Sequence, residues 1–219
     1  MRITLPSGTP AEIARPARGE PTSGLVIAPD IFGLRPLYDE MVQRLADQWQ
    51  MTVCAVEPFP GHDLSADIEP RFAAVSGIDD ETHLRDLHEG ADATGCAQVH
   101  LLGYCLGGMY CHKASRSERF DRIVSFYGMI RLPDAWQSPT QGEPIEYLIN
   151  GHADRVLAIV GGRDHYTPAD DIEALADTGV TVVLYPDAEH GFAHDAARPN
   201  HRADDAADAY ERSLMWLRQ

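Results

Sequence analysis

Short apolar runs of strand length alternate along the chain with segments in which apolar residues recur at a helical period. The runs that predict buried strands are 23–28, 52–56, 99–104, 122–127, 155–160 and 181–185. One helix is indicated by Leu37, Met41, Leu45 and Trp49, which recur every four residues and so share a face. Further helices are predicted at 80–93, 106–115, 169–177 and 203–217.

The alternation of strands and helices predicts an α/β fold. A helix between two strands supplies the crossover connection that parallel strands need, so the central sheet should be mostly parallel. Helices should cover both of its faces. Two N-terminal segments, 2–5 and 12–14, predict a small antiparallel edge of that sheet. Neither an internal repeat nor a linker divides the chain, so we expect one domain over residues 1–219.

The charge and hydropathy of the chain argue against nucleic acids and membranes as partners. Lysine and arginine number 18 against 34 aspartates and glutamates, which gives a formal net charge of −16. Since proteins bind nucleic acids through cationic faces, we expect no nucleic-acid partner. No segment approaches the roughly 20 apolar residues that span a bilayer, so we expect no membrane association either.

The cysteines also bear on location. Cys54, Cys96, Cys105 and Cys111 contain no C-x-x-C pair, and nothing at the start of the chain is typical of a signal peptide. We therefore expect a cytoplasmic protein that is a monomer or a small homo-oligomer.

Three reactive side chains each follow a predicted strand by one short loop. Cys105 comes after 99–104, Asp164 after 155–160, and His190 after 181–185. In open parallel sheets, working groups gather beyond the carboxyl ends of the strands. The order nucleophile, acid, base is the one found in α/β-hydrolases.

The segment around Cys105 has the form G-x-C-x-G-G and lies between a strand and a helix. That context is typical of a nucleophile elbow, whose tight turn needs small residues on both sides. The helix N-terminus favours the reactive thiolate, and the Leu106 N–H would point into the site as an oxyanion donor. The alternative is that Cys105 is a small buried apolar residue.

Asp164 and His190 complete this hypothesis. His190 would take the thiol proton and later activate water, while Asp164 would fix the imidazole tautomer and stabilise the imidazolium. The alternatives are that Asp164 is a turn residue and that His190 is one of ten ordinary histidines.

At this point the chain resembles the dienelactone hydrolase family over nearly its whole length. The resemblance rests on four segments, D-I-F-G at 30–33, G-Y-C-L-G-G at 103–108, G-G-R-D-H-Y-T-P at 161–168 and H-G-F-A at 190–193. It implies the α/β-hydrolase fold, a Cys105–His190–Asp164 triad and an oxyanion hole formed by the N–H groups of Ile31 and Leu106. It also implies hydrolysis of an enol-lactone or related ester without a metal or another cofactor.

Two positions depart from the pattern of that family. Asp30 stands where the family usually has a glutamate that pairs with the resting thiol and takes its proton when substrate enters. The resemblance therefore implies a catalytic role for Asp30, although the residue could instead order the following loop. His194 stands where an arginine binds the substrate carboxylate in dienelactone hydrolase itself. Because histidine is only partly charged near neutral pH, a neutral or less charged ester or lactone is favoured.

Two aromatic residues complete the predicted site. Phe32 and Tyr104 are predicted to wall the substrate pocket beside His194, with a place in the aromatic core as the alternative. His190 and His194 are also spaced as H-x-x-x-H, but Gly191 follows directly and no metalloprotease-type motif is present, so no metal is expected.

These observations favour a cysteine-dependent hydrolase of small-molecule esters or lactones. Two alternatives stay open: a non-catalytic binding protein on the same fold, and a thiol redox or peroxide sensor that uses Cys105. The missing C-x-x-C pair counts against the sensor.

Overall fold

The computed structural model describes all residues from 1 to 219. Eight strands form one sheet in the order β1-β2-β4-β3-β5-β6-β7-β8. The strands are β1 (Arg2–Thr4), β2 (Pro10–Ala14), β3 (Gly24–Ala28), β4 (Thr52–Val56), β5 (Val99–Tyr104), β6 (Ile123–Phe126), β7 (Val156–Gly161) and β8 (Thr181–Tyr185). β1 and β2 pair antiparallel at one edge, and the strands from β4 to β8 are parallel.

Seven α-helices connect or follow the strands. They are α1 (Pro36–Trp49), α2 (Ile68–Ala74), α3 (Asp80–Ala93), α4 (Leu106–Lys113), α5 (Pro144–Ile149), α6 (Ala169–Asp177) and α7 (Ala203–Leu217). Local chemistry sets several of their ends. Pro36 begins α1 with a preset φ angle, and the Asp79 carboxylate caps α3 by accepting the Thr82 N–H at 2.8 Å. No helix combines the length and the apolar character needed to cross a bilayer.

Two hydrophobic cores lie on opposite faces of the sheet. Because strand side chains alternate, Val26 and Ala28 of β3 join the core under α3 and α4, whereas Leu25 and Ile27 join the core under α1 and α7. Both faces of the central strands are therefore buried, as a continuous apolar run such as 24–28 requires. This arrangement confirms the predicted fold class of a mostly parallel sheet with helices on both sides.

Most predicted elements lie where the periodicity put them. The helices at 80–93, 169–177 and 203–217 and the strands at 52–56, 99–104 and 181–185 have the predicted bounds. Two helices, α2 and α5, were not predicted. They are seven and six residues long, too short for a periodic pattern to stand out.

Candidate active site

Cys105 occupies the tight turn between β5 and α4. Its backbone has φ 56° and ψ −113°, and it stands at the N-cap of α4. Positive φ is uncommon for a residue with a side chain, so the turn has to be held by its surroundings. The Cys105 N–H donates to the Phe126 carbonyl at 3.0 Å, which ties the turn to the end of β6.

Two glycines allow this turn to form. A Cβ on Gly107 would come within 1.9 Å of the Ala28 carbonyl oxygen, and one on Gly103 within 2.2 Å of the Gly107 carbonyl oxygen. These contacts are with backbone, which cannot move aside cheaply. The glycines on either side of Cys105 therefore have a steric reason, since the elbow lies directly against the end of β3.

Asp164 and His190 come together from the ends of β7 and β8. The Asp164 Oδ2 and His190 Nδ1 atoms are 2.7 Å apart, and the Asp164 carboxylate is fully buried. The other carboxylate oxygen accepts the Tyr166 N–H at 2.9 Å. With both oxygens occupied, Asp164 holds the imidazole so that Nε2 is left for other chemistry.

The surroundings of His190 favour its charged form. Burial lowers the pKa of His190, but Cys105 and Asp164 outweigh burial and raise it to about 10. Nε2 is buried and makes no hydrogen bond of normal geometry, although the Cys105 thiol is near enough to shift the pKa of the ring. Tyr127 and Tyr166 contact the ring edge-to-face, with centroids 5.3 Å and 4.8 Å from its own.

Two backbone N–H groups beside Cys105 have no acceptor within the protein. One belongs to Leu106, the first residue of α4, and the other to Ile31 in the loop after β3. The loop is brought against the elbow because the Gly107 N–H donates to the Pro29 carbonyl at 3.1 Å. Free N–H groups can bind a developing oxyanion, which is the role that the resemblance implies for Ile31 and Leu106.

Cys105 and His190 open onto a cleft of about 620 Å³. One wall is apolar, and there the Phe72 and Trp136 rings pack with centroids 5.0 Å apart. The full lining is Asp30, Ile31, Phe32, Ile68, Phe72, Cys105, Met129, Trp136, Arg163, His165, Tyr166, Glu189, His190, Arg198, Pro199 and Asn200. Phe32 thus lies where a pocket wall was predicted. A cleft of this size and mixed lining suits a small organic substrate.

The contacts of Asp30 differ from those that the resemblance implies. Arg35 donates to both of its oxygens, at 2.6 and 3.0 Å, and His194 Nε2 lies 2.8 Å from Oδ2. Oδ1 also accepts the Phe32 N–H at 3.1 Å. Asp30 makes no hydrogen bond to Cys105. All the hydrogen bonds of its carboxylate are to Arg35, His194 and the Phe32 N–H, at the base of the loop. These contacts fit the alternative in which Asp30 orders the following loop, and not a pairing with the thiol.

Strong pairing keeps Asp30 charged. Burial raises the pKa of Asp30, but His194 and Arg35 outweigh burial and bring it below its ordinary value. Burial lowers the pKa of His194 more than Asp30 raises it, so the imidazole is neutral near pH 7. A neutral His194 donates from Nε2 to Asp30 and accepts the Tyr127 O–H at Nδ1, where the two atoms are 2.5 Å apart.

The predicted contact of His194 with substrate needs correction. The His194 side chain is 0% exposed and does not line the cleft. Its ring stacks on Tyr104 with centroids 4.8 Å apart. His190 and His194 also bind different carboxylates, so the H-x-x-x-H spacing does not bring the two rings to one point.

Tyr104 also belongs to the core. It is the last residue of β5 and points away from Cys105 toward α7, where its hydroxyl and that of Tyr210 are 2.8 Å apart. The prediction that Tyr104 walls the substrate pocket is therefore wrong. Strand alternation explains this, because the side chain before Cys105 faces the opposite side of the sheet.

Several cleft residues carried no signal in the sequence. The apolar wall comes partly from α2, which was not predicted, and partly from the irregular segment that contains Trp136. Arg198 and Asn200 belong to the long connection before α7, and the Asn200 amide donates to the His190 carbonyl. Arg198 lines the cleft with no acidic partner within 4.0 Å.

The strand order, the elbow after β5 and the acid and histidine after β7 and β8 define an α/β-hydrolase. A solved structure of a dienelactone hydrolase-type protein from Klebsiella pneumoniae has this fold, with a TM-score of 0.89 and 24% identity over 100% of this chain and 98% of that one. The family model of the dienelactone hydrolase family matches residues 10–219, and the chain belongs to that family.

Curated relatives agree with this assignment. The carboxymethylenebutenolidase of Pseudomonas putida is 28% identical, covering 94% of this chain and 89% of its own length. A protein of Escherichia coli K12, provisionally given the same name, is 27% identical, covering 96% and 82%. Family membership confirms the prediction of an enzyme in the ester- and lactone-hydrolysing class.

Proposed function

We propose that the protein hydrolyses small carboxylic esters and lactones through a Cys105–His190–Asp164 triad and a thioester intermediate. The observation that carries the proposal is the shared cleft, onto which the strained Cys105 turn and the Asp164-held His190 both open. The name carboxymethylenebutenolidase, borne by the curated relatives, points to a lactone as the natural substrate type.

Acylation would begin with attack of the Cys105 thiolate on the substrate carbonyl carbon. The carbonyl oxygen gains negative charge and accepts hydrogen bonds from the N–H groups of Ile31 and Leu106. As the intermediate collapses, the bond to the leaving oxygen breaks and His190 Nε2 gives that oxygen its proton. From a lactone the leaving oxygen stays attached to the acyl group, so the ring is opened at this step.

Deacylation would use the same groups in reverse. His190, now neutral, takes a proton from a water molecule, and the hydroxide attacks the thioester carbon. The same two N–H groups receive the second oxyanion. Collapse releases the carboxylic acid and returns the thiolate and the imidazolium.

The contacts of Asp30 bear on which group takes the proton of Cys105. Since Arg35 and His194 occupy the Asp30 carboxylate, His190 is the base that is left to serve Cys105. We therefore propose that His190, rather than Asp30, takes the proton of Cys105 when the thiolate forms. A raised pKa of His190, brought about by Cys105 and Asp164 against the effect of burial, supports that role.

Turnover of a panel of activated esters and lactones tests the proposal. Cys105→Ala should abolish turnover, while Cys96→Ala, which removes the other partly exposed cysteine, should keep it. Full turnover by Cys105→Ala would contradict the proposal. Ligand binding without any turnover by the wild type would favour the binding-protein alternative, and a disulfide formed by Cys105 after mild oxidation would favour the redox alternative.

A further inference from the structure

Arg71 of α2 makes an unusual set of contacts at the edge of the cleft. Its guanidinium donates only to backbone carbonyls: Nη1 to Phe32 at 2.9 Å and to Ile31 at 3.3 Å, Nη2 to Leu64 at 2.9 Å and Nε to Ser65 at 2.6 Å. No acidic side chain pairs with it. A planar guanidinium can serve several acceptors at once, and here it joins two separate loops.

These contacts fix the peptide group that joins Ile31 to Phe32. The carbonyl of that peptide accepts from Arg71, and its N–H donates to the Asp30 carboxylate at 3.1 Å. The Phe32 ring lies between two guanidinium groups, 5.4 Å from Arg35 and 5.7 Å from Arg71. Both polar groups of the peptide are therefore held from opposite sides.

The fixed peptide is next to the one that carries the Ile31 N–H. The Asp30 carbonyl belongs to the same peptide as the Ile31 N–H, and it accepts the Gly33 N–H at 2.9 Å. The turn from Asp30 to Gly33 therefore sets the direction of the Ile31 N–H, and Arg71 holds that turn at the carbonyls of Ile31 and Phe32. Arg71 also belongs to the helix that supplies Ile68 and Phe72 to the apolar wall. One side chain thus connects the wall that would contact the substrate with the loop that would stabilise its oxyanion.

We propose that Arg71 is a positioning residue that holds the Ile31 N–H in its oxyanion-binding orientation through the carbonyls of Ile31 and Phe32. This inference rests on the proposed function, since it concerns the oxyanion of the Cys105 acylation step. Arg71 acts on the backbone and does not line the cleft, so its removal should slow chemistry more than it weakens substrate binding.

Arg71→Met tests the proposal, because it keeps an unbranched apolar stem and removes every donor. With p-nitrophenyl acetate as substrate, we expect kcat to fall about 10- to 100-fold, less than or near the loss of a whole oxyanion donor. KM should change much less. Arg71→Lys keeps the charge, but one ammonium cannot serve both loops, so it should show the same pattern to a smaller degree.

Alkylation separates positioning from a general effect on the site. Iodoacetamide reacts with Cys105 at a saturated carbon, so no carbonyl oxyanion forms and the Ile31 N–H is not needed. The alkylation rate of Cys105 should therefore stay at the wild-type value in both Arg71 variants while acylation slows. Arg116→Met is the matched control, since Arg116 also donates to a backbone carbonyl, that of Glu146, and packs on the Tyr147 ring, away from the cleft.

Each outcome has one meaning. Unchanged acylation in Arg71→Met and Arg71→Lys would overturn the inference, and so would an equal fall of acylation and alkylation. A similar loss of kcat in Arg116→Met would overturn it too, because the effect would then be one of stability. A wild-type protein without Cys105-dependent turnover would overturn the proposed function first, and the inference with it.

Discussion

At the scale of single residues, two aspartate–histidine pairs, Asp164–His190 and Asp30–His194, differ in the hydrogen bonds of the histidine. Asp164 leaves the Nε2 atom of His190 without a partner near Cys105, whereas the ring of His194 is used at both nitrogens, by Asp30 and Tyr127. Only the first pair has a nitrogen available for proton transfer. The second pair is a buried support under the loop that carries Ile31.

Asp30→Asn tests this division of roles. Removing the charge leaves Arg35 without its partner, so we expect the free energy of unfolding to fall by about 2 kcal/mol or more. The value is below the roughly 3 to 5 kcal/mol lost when a fully buried pair is broken, because the Arg35 side chain is 25% exposed. Urea unfolding measures the loss, and the rate of Cys105 alkylation, corrected for folded protein, should stay unchanged because Asp30 does not contact the thiol.

The matched control is Asp39→Asn, which breaks the exposed ion pair with Arg2. Its effect on unfolding should stay within about 0.5 kcal/mol. A large drop in Cys105 alkylation in Asp30→Asn would show that Asp30 activates the thiol after all, as the family glutamate is thought to do.

The sequence identifies some residues of the site better than others, for a physical reason. Cys105, Asp164 and His190 each follow a strand, so the parallel sheet brings them to one edge regardless of loop detail. His194 and Tyr104 were misassigned because nearness along the chain does not tell which way a side chain points. Their direction depends on partners distant in sequence, Asp30 and Tyr210.

At the scale of elements, the close contact between β3, β5 and α4 shapes the site. Gly107 can approach the Ala28 carbonyl closely because it has no side chain, and the turn at Cys105 depends on this close approach. The bond from the Gly107 N–H to the Pro29 carbonyl also brings the loop after β3 beside Cys105. Cys105 and the loop that carries Ile31 are therefore positioned by one packing interaction. A change there should affect stability and catalysis together.

Gly107→Ala tests this coupling. The added Cβ would lie 1.9 Å from the Ala28 carbonyl oxygen and 2.6 Å from that of Pro29, so backbone would have to move. We expect a loss of about 3 kcal/mol or more in the free energy of unfolding, at or beyond the upper end for an overpacked core, measured in urea. The surviving folded fraction should have a reduced kcat.

Gly77→Ala serves as the control, because its Cβ would meet no atom within 4 Å and its φ is not positive. Its stability should stay within about 0.5 kcal/mol of the wild type. If Gly107→Ala were equally mild, the steric origin of the elbow sequence would be wrong.

The elements themselves differ in how far the sequence predicts them. Strands buried on both faces and helices of 9 to 15 residues, such as α6 and α7, show clear patterns. α2 and α5 do not, because one or two turns contain too few positions to display a period. Since α2 carries Arg71 and part of the apolar wall, the least predictable element supplies some of the most specific contacts of the cleft.

At the scale of the whole molecule, the formal net charge is −16. The protein also contains buried histidines that are uncharged near neutral pH. Burial lowers the pKa of His83 to about 4, and it does the same for His112. Both side chains are buried. The His83 ring packs edge-to-face on the Tyr110 ring, and the His112 Nδ1 atom lies 3.3 Å from the Met129 carbonyl oxygen. Between about pH 4 and pH 6.5, the folded protein therefore leaves unprotonated two side chains that bind protons in the unfolded chain.

These histidines predict an acid-dependent loss of stability. In the unfolded chain they gain protons as pH falls through about 6.5, whereas in the folded protein they do so only near 4. The unfolded state thus binds more protons between these values, and the free energy of unfolding should fall steadily over that window. Urea unfolding at a series of pH values measures it, with a constant m-value as the sign that the folded state is unchanged. Constant stability across the window would contradict the burial of neutral histidines.

Acyl transfer to Cys105 is the event on which the proposed chemistry most depends. The most direct measurement is rapid acid quenching of the wild-type protein with p-nitrophenyl acetate, followed by mass spectrometry of its peptides. We predict one acetyl group on the peptide that contains Cys105, sensitive to hydroxylamine and absent from Cys105→Ala, which should also have lost turnover. An acetyl group on another residue, or full turnover by Cys105→Ala, would contradict the assignment of Cys105 as the nucleophile.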